Sequence, residues 1–251
     1  MLKTRVIPCL LLKKGALVKS VKFNNETYVG APINTVKIYN EMEVDELIFL
    51  DIKATIENRK PSFAQIKEIA TECFMPFAYG GGIKTIEDMK KIFSLGAEKI
   101  VLNNVAVENP SLIKKASEIF GSQSIVVSID AKKTNSGYET YTQRATKTTK
   151  KDPVSWAKEV EKLGAGEIFL TSIDKDGTFQ GYDTELIEKV SKAVAIPVIV
   201  CGGAKNLEDF VKAKKCGASA VAAGSLFVYQ GPNRSVLINY PSYEELREVL
   251  G

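Results

Sequence analysis

Tyr79-Gly-Gly-Gly82-Ile-Lys-Thr-Ile-Glu-Asp88 with Gly96-Ala97, and Cys201-Gly-Gly203-Ala-Lys-Asn-Leu-Glu-Asp209 with Gly217-Ala218, are one pattern written twice. Gly81 matches Gly202, Asp88 matches Asp209 and Gly96 matches Gly217, each at an offset of 121 residues. Asp45-Glu46-Leu-Ile-Phe-Leu-Asp51 and Gly166-Glu167-Ile-Phe-Leu-Thr-Ser172 keep the same offset between Glu46 and Glu167. The chain is a doubled half. Its repeating unit alternates apolar runs with amphipathic segments, so the doubling predicts an α/β fold, one closed parallel barrel of eight βα units. This is a single (β/α)8 TIM barrel domain spanning 1–251, with half-barrels at about 1–122 and 123–251.

Bulk properties agree. A chain of 251 residues, 45% hydrophobic and 25% charged, has the size and composition of one such domain. The net charge of +4 is spread along the chain; it fits an anionic small substrate or no particular ligand, and argues against nucleic acid. The apolar Val6-Ile-Pro-Cys-Leu-Leu-Leu12 is too short and Pro-interrupted to cross a bilayer and lacks a cleavage pattern, so a cytoplasmic chain with no membrane partner is expected. Cys9, Cys73, Cys201 and Cys216 have no C-x-x-C spacing and read as reduced, buried small hydrophobes. No disulfide, metal or cofactor is expected. The chain has no histidine, which excludes Ser-His-Asp triads, Cys-His pairs and His-ligated metals. Acid and base work falls to carboxylates, Lys, Tyr or Cys.

Apolar runs predict strands at about 5–10, 47–52, 76–80, 99–103, 125–130, 167–172, 197–202 and 219–223. Amphipathic patterns predict helices at 34–42, 62–73, 86–95, 111–120, 152–163, 184–193, 207–215 and 243–250. Two connections, 12–32 and 131–151, read as long loops in equivalent places of the two halves, where barrel loops cover substrates.

Chemistry is therefore sought where strands end. Asp130 closes the fifth strand, Asp176 follows the sixth and Asp51 closes the second. A carboxylate facing a barrel mouth is partly desolvated, which raises its pKa toward that of a working acid or base. Asp51 and Asp174 read instead as carboxylates bonded to loop backbone. Lys19, in the first long connection, reaches a substrate or is solvated. Gly81 and Gly82 with Asn103 and Asn104, and Gly177 and Gly203 with Gly224 and Ser225, suggest two anion cradles, one per half, built from backbone N–H groups. Tight βα turns would explain one glycine pair; recurrence in both halves favours a ligand with a phosphate at each end.

Ile7-Pro-Cys9, Tyr79-Gly-Gly-Gly-Ile83, Ser128-Ile-Asp130, Ser172-Ile-Asp-Lys-Asp-Gly-Thr178 and Ile196-Pro-Val198 resemble the cyclase subunit of imidazole glycerol phosphate synthase, a lyase of histidine biosynthesis. The resemblance implies a barrel that takes ammonia from a glutamine amidotransferase at its N-terminal face and uses it at the C-terminal face on a bis-phosphate. It also implies that Arg5, Glu46, Lys99 and Glu167 form an ammonia gate, and that Gln123 belongs to the partner interface. Each of the four gate residues begins a predicted strand, opposite Asp130; a salt-bridge plug would use the same positions.

One departure changes the functional expectation. The family's catalytic pair is an Asp on strand one and an Asp on strand five, here Leu11 and Asp130. Leu cannot move a proton, and loss of one positioned acid or base costs about 10²- to 10⁴-fold in rate. Tyr79, Arg144 and the segment 229–241 read as further changes at the same face. Leu11 within Cys9-Leu-Leu-Leu-Lys13, with Gln230-Gly-Pro-Asn-Arg-Ser-Val-Leu-Ile-Asn-Tyr-Pro241, resembles the paralogous group tied to glycosyl amidation in surface-polysaccharide (lipopolysaccharide) pathways. That resemblance implies an ammonia conduit between an amidotransferase and a sugar-amidating enzyme. A working cyclase, or a phosphosugar isomerase on the same half-barrel repeat, are the other expectations.

Overall fold

A computed structural model of the chain describes residues 4–251. The first half runs β1 (Arg5–Lys13), β2 (Ala16–Val21), β3 (Asn24–Gly30), α1 (Pro32–Glu41), β4 (Leu47–Asp51), α2 (Phe63–Glu72), β5 (Phe77–Gly80), α3 (Ile86–Ser94), β6 (Lys99–Leu102), α4 (Asn104–Glu108) and α5 (Ser111–Phe120). The second runs β7 (Ile125–Thr134), β8 (Gly137–Thr142), β9 (Lys147–Thr148), α6 (Pro153–Lys162), β10 (Glu167–Ser172), α7 (Thr184–Ser191), β11 (Val198–Cys201), α8 (Leu207–Lys215), β12 (Ala220–Ala223), α9 (Ser225–Val228), β13 (Tyr229–Gln230), β14 (Ser235–Val236) and α10 (Tyr243–Leu250).

Eight strands pair in parallel in the order β1-β4-β5-β6-β7-β10-β11-β12, and β12 returns to β1, with Arg5 opposite Ala220. The (β/α)8 barrel expected from the repeat is therefore closed. Strand alternation divides the apolar residues in two. One set, including Phe49, Tyr79, Ile100 and Val127, packs between strands and helices. The other, including Ile7, Cys9, Leu11, Ile48, Ala78, Val126, Phe169 and Ile199, fills the barrel interior.

The residues that betray the repeat have mechanical roles in both halves. The Thr85 side chain accepts from the Asp88 N–H while the Asp88 carboxylate accepts from the Thr85 N–H, a capping box that starts α3. Asn206 receives the Asp209 N–H in the same way and starts α8. A Cβ on Gly81 would lie 2.4 Å from the Asp51 backbone oxygen, and one on Gly202 would lie 2.7 Å from that of Ser172, the equivalent residue of the other half. Both glycines sit at positive φ, so any side chain there meets strain and collision together.

The two long connections are not loops. Residues 16–30 form the antiparallel hairpin β2–β3, which extends β1 beyond the barrel rim with Leu11 opposite Val18. Residues 137–148 form β8–β9, which extends β7 with Asp130 opposite Tyr141. The expectation failed because Lys, Thr and Asn in these segments weaken the apolar alternation by which strands are read. Exposed hairpins need no apolar stripe when their ladders continue strands already fixed in the barrel.

Candidate functional site

At the N-terminal face, Arg5 opens β1, Lys99 opens β6, Glu167 opens β10 and Glu46 directly precedes β4. Their side chains converge on the axis as a closed ring of alternating charge. Arg5 donates to Glu46 and to Glu167, and Lys99 donates to Glu46 at 3.0 Å and to Glu167 at 2.9 Å. Burial alone would lower the Arg5 pKa, but the Glu167 and Glu46 carboxylates outweigh it and raise it above the ordinary guanidinium value. Two cations and two anions cancel, so the barrel floor is polar without a net charge. Gln123 lies exposed at the same end, in the short 3-10 turn Ser122–Ser124.

Above this ring the interior is apolar, and it opens into a cavity of about 140 Å³ at the C-terminal ends of the strands. Leu11, Ser128, Asp130, Lys19, Asp176 and Arg144 are among the residues that line it. Strand register defines the relation between the first and third of these. Leu11 lies opposite Leu50, Asp130 lies opposite Thr171, and Leu50 and Thr171 are matched by the repeat. Leu11 is thus the counterpart of Asp130 in the other half-barrel.

Asp130 accepts from Ser128 Oγ at 3.2 Å and from Asn103 Nδ2 at 3.1 Å. Burial pushes its pKa up to about 7; the two donors pull it back and the nearby Asp176 charge adds to the rise. Asp130 is therefore poised to gain or lose a proton near neutral pH. Asp176 is held from the β2–β3 hairpin: Lys19 Nζ donates to it at 2.8 Å and Ser20 Oγ at 3.1 Å. Burial disfavours the Lys19 ammonium, yet the Asp176 carboxylate raises its pKa above the ordinary value. Lys19 reaches Asp176 across Gly224, where a Cβ would stand 2.8 Å from its Cε.

The two anticipated cradles differ. Gly177, Gly203, Gly224 and Ser225 border one small pocket beside Asp176, and Ser225 Oγ is buried there without a hydrogen-bond partner among the described residues. An unpartnered hydroxyl among glycines fits an anion oxygen. In the other half, Gly81, Gly82, Asn103 and Asn104 line the main cavity, but the Gly82 N–H already donates to Thr55 Oγ1 at 3.3 Å. The Asn103 side-chain amide is committed to Ser128 O and Asp130, so it orients a carboxylate. Asn104 Oδ1 receives a long bond from Gln143.

Other expectations resolve plainly. Asp51 accepts the Lys53 and Ala54 N–H groups and pairs with Arg59, so it serves loop backbone; Asp174 accepts the Lys133 N–H, so it serves the end of strand β7 instead. Tyr79 does not remodel the mouth, because Ala78 and Gly80 take the inward positions of β5 and Tyr79 packs outward, buried, against the helices. Arg144 does reach the mouth. It donates to the Phe23 carbonyl at 2.7 Å and pairs with Glu26, joining the tips of the two hairpins. Glu26 also pairs with Lys13 and Lys53, and these cations hold its carboxyl down at about 2. Sequence reading missed Ser128, Ser20 and Glu26. Ser128 was findable, being two residues from Asp130 on the same strand face; Glu26 was not, since its partners come from three separate segments.

All four cysteines are free thiols, and among the described residues no group of three or more Cys, Asp or Glu is placed to hold a metal. No helix among the described residues is long and apolar enough to cross a membrane.

The family model for histidine biosynthesis proteins matches residues 5–232, nearly the whole barrel. The chain belongs to the histidine biosynthesis protein family. Within this family, a Pseudomonas aeruginosa protein named "Putative imidazole glycerol phosphate synthase subunit hisF2" is 50% identical over 248 residues, covering 98% of this chain and 99% of its own. A Leptospira interrogans protein named "Putative imidazole glycerol phosphate synthase subunit HisF" is 46% identical over 98% of both chains. The "Imidazole glycerol phosphate synthase subunit HisF" of Sulfurisphaera tokodaii is 49% identical over 88% of both. The family match bears out the resemblance to that family read from the motifs.

Proposed function

We propose that this chain is an ammonia-channelling barrel. It pairs with a glutamine amidotransferase at the N-terminal face, around Gln123 and the Arg5–Glu46–Lys99–Glu167 ring, and passes ammonia along the apolar axis to a sugar-amidating enzyme at the C-terminal face. The observation that carries this reading is the pairing of a complete charged ring below with Leu11 opposite Asp130 above. With Leu11 at the equivalent point of the other half, Asp130 has no acid–base partner there, whereas a neutral small molecule needs only a polar entrance and an uncharged path.

The cyclase reading keeps its own support. The relatives bear synthase-subunit names, Asp130 is tuned near neutrality, and the pocket at Ser225 suits a phosphate. In that reading Asp130 moves the proton, Lys19 and Asp176 position the substrate, and the two ends of the cavity hold its phosphates.

Co-expression with a glutamine amidotransferase separates the two. The conduit reading expects a stable complex, ammonia delivery from glutamine to the sugar-amidating enzyme, and uncoupling of glutamine hydrolysis from amidation in Lys99→Ala. Ammonia reaching that enzyme equally well without this chain, with family-typical turnover of the bis-phosphate substrate, reverses the ranking.

A further inference from the structure

Charge is polarised along the barrel axis. The connections that follow the eight barrel strands (14–31, 52–62, 81–85, 103–110, 135–152, 173–183, 202–206 and 224–242) contain fourteen Lys and Arg against eight Asp and Glu. The rest of the chain contains twenty against twenty-two. An overall charge of +4 therefore conceals a strongly cationic C-terminal face.

The excess does not point into the cavity. Among the described basic residues only Lys19 and Arg144 line it, and Asp176 and Glu26 answer them. The surplus lies on the rim instead. Lys22 at the first hairpin tip, Lys60 after β4, Lys150 after the second hairpin and Lys205 after β11 are exposed, and none makes an ion pair among the described residues. They sit on four different connections that follow barrel strands rather than converge on one point. A small anion in the cavity would meet few of them, whereas a broad acidic surface laid across the mouth would meet them all. Exposed apolar side chains accompany them: Tyr28 on the edge strand β3 is 64% exposed and Ile56 at the cavity rim is 44% exposed. A set of unpaired cations with scattered apolar groups has the composition of a polar interface rim that steers an oppositely charged partner.

We propose that this basic collar docks the ammonia-consuming enzyme through an acidic surface that seals the barrel mouth. The inference rests on the conduit reading and adds the chemistry of the second interface. A sealed mouth keeps ammonia from meeting bulk water, where it would be protonated, between leaving the axis and entering the acceptor site.

The test mixes the barrel–amidotransferase complex with the sugar-amidating enzyme of the same genome and measures affinity at about 50 and 500 mM NaCl. Lys22, Lys60, Lys150 and Lys205 are changed together to Glu, and in a milder second variant to Gln. Lys67, Lys90, Lys114 and Lys158, exposed on the outer helices, are changed to Glu as a control. Binding should weaken at least tenfold with the collar reversal, less with Gln, and less than twofold with the control. Glutaminase activity of the partner at the other face should persist in all variants. A wild-type complex that is equally insensitive to both sets, or no complex at all, overturns the collar; continued ammonia delivery in that case leaves the conduit standing. Weaker pyrophosphate or UDP-N-acetylglucosamine binding by the collar variants, without an enzyme complex, would overturn it in favour of a small anion.

Discussion

Leu11 and Asp130 hold the same position in the two half-barrels, one opposite Leu50 across β1 and β4, the other opposite Thr171 across β7 and β10. The doubled scaffold presents two equivalent points to one cavity, and only one of them can exchange a proton. Around Asp130 the donors Ser128 and Asn103 are in place, while Leu11 is packed with Cys9, Val18 and Leu50. The asymmetry is one of chemistry on a symmetric frame.

Restoring the missing carboxyl tests what that asymmetry costs. With ammonium salt and the cyclase's bis-phosphate substrate, the purified chain should turn over at least about 10²-fold more slowly than a working cyclase, and Leu11→Asp should recover part of the loss in kcat. Rapid turnover without the substitution would remove the main reason for the conduit reading.

The Asp130 carboxyl makes stability fall with rising pH. Its folded pKa of about 7 lies above the value of about 3.9 for a free Asp, so between those limits the folded chain holds a proton that the unfolded chain has released. Stability is thus lost from about pH 4 to 7 and level above. Asp130→Asn carries no such penalty, and its stability relative to the parent should rise by roughly 1–2 kcal/mol between pH 5 and 8, a figure reduced for solvent entering from the cavity. Urea titrations at the two pH values give the comparison; an unchanged difference would show that Asp130 is ionised throughout.

Ser225 should report on anion binding. In crystals grown with sulfate or phosphate, an anion is expected beside Gly203 and Ser225, with the Ser225 hydroxyl donating to it. Ser225→Ala should weaken phosphate-dependent thermal stabilisation several-fold. Clear density with that pocket empty at high sulfate would mean that the glycines serve the turns alone.

The hairpin latch is open to hydrogen exchange. Arg144→Ala removes the Phe23 and Glu26 contacts and leaves Glu26 with Lys13 and Lys53, so the barrel should keep its stability. Amides of residues 16–30 should exchange at least tenfold faster, while those of β7 and β10 stay protected. Equal protection in both chains would place the anchoring of this hairpin on the β1–β2 ladder and on Lys19, Ser20 and Asp176.

Much of the molecule follows from sequence alone. The 121-residue offset and the apolar runs specify eight βα units and their direction, because strand period and strand polarity are local properties of the chain; the residues of the lower ring come from the family resemblance and agree with their places at strand starts. Leu11 as the partner of Asp130 was legible only through the family resemblance, which supplies an Asp at both positions. What needed the tertiary structure is whatever depends on closure. The hairpins borrow their ladders from β1 and β7, Tyr79 is turned outward by the inward places of Ala78 and Gly80, and Asn103 spends its amide on Asp130. Glu26 gathers Lys13, Lys53 and Arg144 from segments far apart in sequence. Charges meeting at one point, or spread around one rim, are relations between loops, and only the closing of the barrel brings those loops to the same face.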